Sequence, residues 1–451
     1  MNHWLRALAA SGLAASMLSA CGGGGGSFVQ TETPLQHLSK TGAGKIQHIV
    51  FIVQENRSFN NLFMDYPGAK TASKGRVSNG QVVKLQPVSL AYQYVIDHSA
   101  HAMFSACNAP PSELPGTHCQ MDGFDQEESF GGPQGVQYPE YVYAPRNETK
   151  PYWDMANQWV LADHMFQSHL DESFVSHQYI IAAQAASAVD LPEGLWGCPG
   201  GKSDEVPMIN QQRQLSGYET PCWDYTTLGD ELDTASLTWK FYTSQYGSKS
   251  SGDGSWWSSY QAVNHIYNGP DWKNDIVTPQ KQFLKDVPAG KLANFTWITP
   301  VCDDSDHVNC GGGYGPSWVA AIVNAVGQSK FWDSTAIFVM WDDWGGLYDP
   351  VKPPFEDYDG VGFRVPLLVI SPYAKKNYVS HVQYETTSVL RFAEDLWGLP
   401  QMAAADKRAN SPAADCFDFN QAPRKFKKIK APKYPSFFMA QPMDYRAPDY
   451  Q

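Results

Sequence analysis

The 451-residue chain is short of charge. Only 18% of its residues are Asp, Glu, Lys or Arg, while 43% are hydrophobic. So little charge beside so much apolar material excludes an intrinsically disordered chain. Positive charge is the scarcer sign: 33 Lys and Arg stand against 46 Asp and Glu, a formal net charge of -13. That balance argues against a general nucleic-acid binder, which needs a basic stripe to displace counterions from phosphates. A small phosphorylated substrate stays open, because a bound cation reverses the local field. Past the N-terminal segment no apolar run is long enough for a membrane span, so a polytopic membrane protein is excluded. No internal repeat occurs. No C-x-x-C pair occurs either, which argues against a structural zinc site. Aromatics, in contrast, are plentiful at 23 Tyr, 22 Phe and 15 Trp. They suit a rigid, cleft-bearing extracytoplasmic enzyme.

The N-terminus reads MNHWLRALAASGLAASMLSACGGGGGS. One Arg precedes an apolar stretch shorter than the roughly 20 residues of a spanning helix. Leu18-Ser19-Ala20-Cys21 resembles the lipobox of bacterial lipoproteins, in which the Cys is lipidated and the bond before it is cleaved. The reading is a signal peptide over 1–20, then lipidated Cys21 and a flexible linker over 21–44, with Gly22–Gly26 as tether. Gly22 in place of Asp fits sorting to the outer membrane of a Gram-negative bacterium. An ordinary signal peptide with a chance Cys is the alternative. In an oxidising compartment, sequence neighbours suggest the disulfides Cys107–Cys119, Cys198–Cys222 and Cys302–Cys310, leaving Cys416 odd.

From residue 45 to 451 the pattern is that of one large domain. Ile46–Val53 is a continuous β-branched run, as in a strand buried on both faces. Similar runs occupy Trp159–Ala162, Leu237–Tyr242, Phe295–Thr299, Ala336–Trp341 and Val365–Ile370. Helix-like stretches lie at Ser173–Ala186, Thr278–Val287, Pro316–Gln328 and Glu385–Trp397. This alternation predicts an α/β fold: a large, mainly parallel sheet with helices on both faces. Ligands then bind at the carboxyl ends of the strands. Residues 64–150 and 187–235 show no clear period and read as insertions capping that edge. The tail from 401 is irregular, and its cluster of Arg424, Lys425, Lys427, Lys428, Lys430 and Lys433 reads as solvated surface.

Three clusters can do chemistry. Glu55-Asn56 follows the first buried strand and offers hard oxygen ligands, or a helix-capping turn. Asp342-Asp343 follows the strand AIFVM; two adjacent carboxylates repel unless a cation or proton intervenes. The alternative there is an acidic turn. Ser173 opens a helix, where an N-cap is the ordinary role, but a helix N-terminus also stabilises an anion. Ser173 is therefore also a candidate nucleophile. His177, four residues on, shares its helix face and reads as a packing residue or one that supports the site's ligands, ahead of a general base.

Together the motifs HIVFIVQENRSFNNLF, DHSAH with QMDGF, DESFVSHQYIIAAQA, SDHVNCGGGYGPSWVAAIVNAVGQS and TAIFVMWDDWGGLYDPVKPP resemble a bacterial phosphoesterase family. That family contains phospholipases C and acid phosphatases and belongs to the alkaline phosphatase superfamily. The resemblance implies an alkaline-phosphatase-like fold and one divalent cation (Ca, Mg, Mn, Fe or Zn) on Glu55, Asn56, Asp342 and Asp343. It implies Ser173 as nucleophile and His98, His265 and His307 around the phosphate. Asp122 reads as structural or as a support to the site's residues, and His381 as a further candidate or a surface residue. Asn60 and Pro350 depart from the family, which often has Asp and His there.

The expected activity is hydrolysis of phosphoric esters through a phosphoseryl intermediate. Ser in place of Thr favours an acid phosphatase acting on phosphomonoesters. The alternatives are a phospholipase C and a non-catalytic binding lipoprotein. Expected partners are a small phosphate ester or phospholipid, and the membrane through Cys21, with no nucleic acid.

Overall fold

The computed structural model describes residues 40–192, 196–201, 204–244 and 257–444. The signal peptide, Cys21 and its tether lie outside the described residues. The packed chain begins slightly earlier than the expected residue 45. A Cβ on Gly42 would meet the Phe419 ring at 2.5 Å, so the end of the assigned linker already lies against the body.

Eight strands form the central sheet: β1 (His48–Gln54), β2 (Val160–Ala162), β3 (Trp239–Tyr242), β4 (Ile276–Val277), β5 (Phe295–Ile298), β6 (Thr335–Trp341), β7 (Leu367–Ile370) and β8 (Tyr378–Ser380). Their order is β4-β3-β5-β1-β6-β7-β2-β8. Five of the seven pairings are parallel; β7 runs antiparallel to both neighbours. The expected α/β architecture is therefore observed. Successive side chains on a strand face opposite ways. Ile49 to Val53 are all fully buried, so both faces of the sheet are covered at β1. The two strands not foreseen, β4 and β8, lie at the sheet's edges and span two and three residues, too short to carry a period.

The helices used below are α1 (Phe59–Phe63), α2 (Ala100–Cys107), α3 (Lys150–Ala156), α4 (Ser173–Ala182), α5 (Gly315–Gly327) and α6 (Ser388–Trp397). α4 stops four residues short of its expected end. Ala183 takes a left-handed φ of 56°, and Ala186 and Ser187 are left-handed too. The stretch expected as one helix at Thr278–Val287 instead holds a 3₁₀ turn at Gln280–Gln282 and a single turn at Phe283–Asp286.

The first insertion is built from α2 and short strand pairs such as Val95–Ile96 with Ser129–Phe130. An apolar cluster packs its Met103, Phe124 and Tyr141 against Trp344 and Phe363 of the body. The second carries the hairpin Val206–Ile209 with Leu215–Glu219. All three expected disulfides are present, and Cys416 is a free thiol in the core. The tail is more ordered than the sequence suggests. Phe417, Phe419, Ile429 and Phe438 join the main core, and Asn324 of α5 exchanges two hydrogen bonds with the Ile429 backbone. Lys425, Lys427, Lys428 and Lys430 remain exposed, as solvated surface.

Candidate active site

Strand register assembles the site. β1 and β6 pair residue by residue from His48 opposite Thr335 to Gln54 opposite Trp341. Both strands end together, so Glu55-Asn56 and Asp342-Asp343 leave the sheet side by side. Asp342 N–H donates to Gln54 O at 2.9 Å, and Asn56 N–H donates to Asp342 Oδ1 at 3.0 Å. Asn56 takes a left-handed φ of 50°, a conformation Asn tolerates better than most residues. Gly345 is required by close approach: it has φ 63°, and a Cβ there would lie 2.3 Å from Asn56 O. Its N–H donates to Asp343 Oδ1 at 2.7 Å and fixes that carboxylate.

Ser173 is not an N-cap. Glu172 holds that position, and Ser173 is the first residue of α4. Its hydroxyl donates to Asp343 Oδ2 at 3.2 Å and accepts from Asn56 Nδ2 at 3.1 Å. Asn56 Nδ2 also lies 2.9 Å from Asp343 Oδ2 and 2.9 Å from His98 Nε2. His98 comes from the first insertion. Its Nδ1–H donates to Ile96 O, which leaves Nε2 as the acceptor facing the site. Glu172 Oε2 stands 3.9 Å from the same Nε2. His307 packs edge-on against His98 with ring centroids 5.9 Å apart. Its Nδ1 accepts from Asn309 N–H, so Nε2 carries the proton. Just before it, buried Asp306 accepts from Tyr152 and Trp341, and burial pushes its carboxyl up to about 6.

One turn along α4, His177 faces the other carboxylates. Its Nε2 is 3.1 Å from Glu55 Oε1 and 3.7 Å from Asp342 Oδ2. Of the readings open for His177, this position agrees with a residue that supports the candidate ligands. The i, i+4 spacing that puts it on the face of Ser173 was the available signal. Ser176 adds a hydrogen bond to Asp342 O at 2.9 Å. Glu172 and Ser176 had no signal of their own in the sequence beyond proximity to Ser173.

The donor set fits a cation. Glu55, His177 and Asp342 each offer a ligand atom within 4.8 Å of one another, all buried. Asp342 Oδ2 has no hydrogen-bond donor among the described residues. The Asn56 amide nitrogen has two hydrogens but three acceptors within 3.1 Å. Lone pairs converging in this way are satisfied by a cation better than by protons.

The structure corrects the placement of His265. It sits at the surface with Nδ1 on Asp224 at 3.0 Å and Nε2 on Asp230 at 2.9 Å, and no contact joins it to Ser173 or His98. The sequence could not exclude it, because a His beside an aromatic motif looks the same on a helix that faces solvent. His265→Ala is expected to change kcat/KM less than twofold, measured on any hydrolysed substrate. Asp122 is structural, accepting from the Asn108 amide at 2.9 Å. Asn60 is also structural, pinning Ala72 by two backbone bonds. His381 lies at the edge strand, hydrogen-bonded to Asp163.

Behind Ser173, burial pushes Asp171 up to about 8 and His169 down to about 3, so both are neutral at pH 7. The unfolded chain loses the Asp171 proton near pH 4, the folded chain only near pH 8. This group's contribution to stability therefore falls as pH rises between those values. Urea melts at pH 5 and pH 8 should show Asp171→Asn losing less stability over that interval than the wild type.

The Phosphoesterase family model matches residues 46–400. Hemolytic phospholipase C of Pseudomonas aeruginosa is 24% identical over 405 residues, covering 78% of this chain and 53% of that protein. Phospholipase C A of Mycobacterium tuberculosis is 23% identical over 413 residues, covering 79% and 73%. Non-hemolytic phospholipase C of Burkholderia pseudomallei is 22% identical over 412 residues, covering 77% and 55%. The chain thus spans about half the length of the two Gram-negative relatives. Among solved structures, a Vibrio parahaemolyticus protein in the alkaline phosphatase superfamily is 10% identical over 85% of this chain and 72% of its own, with a TM-score of 0.35.

Proposed function

The chain belongs to the Phosphoesterase family, and from that premise we propose that it hydrolyses phosphoric esters with Ser173 as nucleophile. The observation that carries this reading is the Ser173 hydroxyl, held between Asn56 and Asp343 at the N-terminus of α4. Asp343 Oδ2, 3.2 Å from Oγ, accepts the hydroxyl proton. Oγ then attacks phosphorus in line, and the bond from phosphorus to the leaving oxygen breaks. The N–H groups of the first turn of α4 donate to the phosphate oxygens. His307 Nε2–H donates a hydrogen bond that steadies the leaving oxygen, which takes its proton from water, and His98 faces the transferred group. Water then attacks the phosphoserine and returns Ser173. A divalent cation held by Glu55, Asn56, Asp342 and Asp343, with His177 beside them, supplies charge neutralisation and a more acidic hydroxyl when bound.

Phosphomonoesters are the first substrate reading, because Ser173 stands where the resemblance places Thr in phospholipases. A phospholipid diester is the second reading, favoured by the phospholipase C names of the relatives. Hydrolysis of p-nitrophenyl phosphate against p-nitrophenylphosphorylcholine separates them. Turnover of only the second compound overturns the first reading, and turnover of neither, with no bound metal, favours a binding protein. Three disulfides support an oxidising compartment, where a lipid on Cys21 would tether the enzyme to the membrane.

A further inference from the structure

A second group of ligating side chains lies apart from the cluster around Ser173, where β2 ends beside edge strand β8. Asp163 directly follows β2 and is fully buried. His164 Nδ1–H donates to Asp163 Oδ1 at 2.7 Å, and His381 Nδ1–H donates to the same oxygen at 2.8 Å. The second carboxylate oxygen accepts Lys70 N–H at 2.9 Å, which fixes the group's orientation. The backbones are equally well held: Asp163 N–H donates to Ser380 O, and Tyr384 N–H donates to His164 O. The rings of His164 and His381 stand nearly perpendicular, 89° apart.

We propose that Asp163, His164 and His381 form a second metal site, selective for a borderline transition metal such as zinc. One ligand atom from each residue lies within 4.8 Å of the others. Two imidazole nitrogens and one carboxylate oxygen suit Zn, Co, Ni or Cu, whereas Mg and Ca prefer all-oxygen sites. Binding needs only a tautomer exchange. Each ring moves its proton from Nδ1 to Nε2, and the Nδ1 lone pairs turn to the metal without net proton release. Donors of a tetrahedral zinc sit about 3.3 Å apart, so the rings retreat by about half an ångström. His381 has the room to do so, since its side chain is 61% exposed, and that exposure also gives the ion an entry path and a position for water. The ion would tie β2 to edge strand β8, which pairs with no other strand of the sheet among the described residues.

The test uses the full chain in an Asp342→Asn background, which weakens the cation site beside Ser173. Zinc binding is measured by equilibrium dialysis with metal analysis, and Cu(II) is added as a spectroscopic probe. One zinc equivalent should bind. H381A or H164A should each raise its dissociation constant at least tenfold. The nitrogen pattern in the Cu(II) EPR spectrum should fall from two ligands to one. H381A made in the otherwise wild-type chain should keep phosphoesterase activity within twofold, so failure here is separable from failure of the Ser173 reading. Zinc affinity unchanged from the Asp342→Asn protein in both His variants, or no zinc bound in the Asp342→Asn protein, overturns the proposal.

Discussion

Ser173→Ala is expected to abolish turnover, lowering kcat/KM by about 10⁴-fold or more, with no burst of leaving group. The size follows from chemistry: without Oγ no phosphoseryl intermediate can form, and water must attack from a position that no residue orients. The variant should fold normally. Ser173 caps nothing, since Glu172 occupies the N-cap, and the hydroxyl's hydrogen bonds run to Asn56 and Asp343. Rapid-quench kinetics with an activated aryl phosphate measures the burst. Wild-type rates at saturating substrate in the folded variant would show that another group attacks phosphorus.

Asp342→Asn is expected to have the second-largest effect, a loss of about 10³-fold in kcat, at the upper end of what removal of one electrostatic stabiliser costs. Its effect on stability should have the opposite sign in the metal-free protein. Asp342 is buried beside Asp343 and Glu55, and like charges so placed repel. Neutralising one relieves that repulsion, so the metal-free variant should melt at or above the wild-type temperature. The stabilisation gained on adding the activating cation should shrink, because ligand binding stabilises only in proportion to its affinity. Chelator-treated protein, remetallated and followed by thermal melts, reads both quantities. A variant as active as wild type, with an unchanged metal-induced shift, would remove Asp342 from the cation site.

Much of this was legible in the chain because strong signals are local. The run Ile49–Val53 is apolar at every position, and only a strand covered on both faces uses such a run. A strand ending in Asp342-Asp343 announces an unusual charge demand without any knowledge of what lies opposite. Cysteines near in sequence paired as expected because short loops leave few alternatives. The signal failed wherever a residue's meaning depends on a distant partner. His265 and His98 both read as phosphate-facing histidines in the sequence. The first is held at the surface by Asp224 and Asp230, and the second is brought to Asn56 by an insertion without periodic pattern. The tail after 401 looked irregular because its buried residues, among them Phe417, Phe419 and Ile429, are scattered among polar ones.

By itself the sequence determined the α/β class, the strands β1 and β6, the carboxylates at their ends and the serine that opens α4. Each rests on neighbours within a few residues, where propensity and charge act directly. Only the tertiary structure decided that Gln54 and Trp341 lie level, so that the four candidate ligand residues leave the sheet together, and that Glu172 rather than Ser173 caps α4. It alone placed His177 on Glu55 and Asp342, and joined Asp163, His164 and His381 across the sheet's edge. Apart from the adjacent Asp163 and His164, those contacts join residues more than a hundred and up to nearly three hundred positions apart. Their formation is set by strand register and packing, which no local pattern encodes.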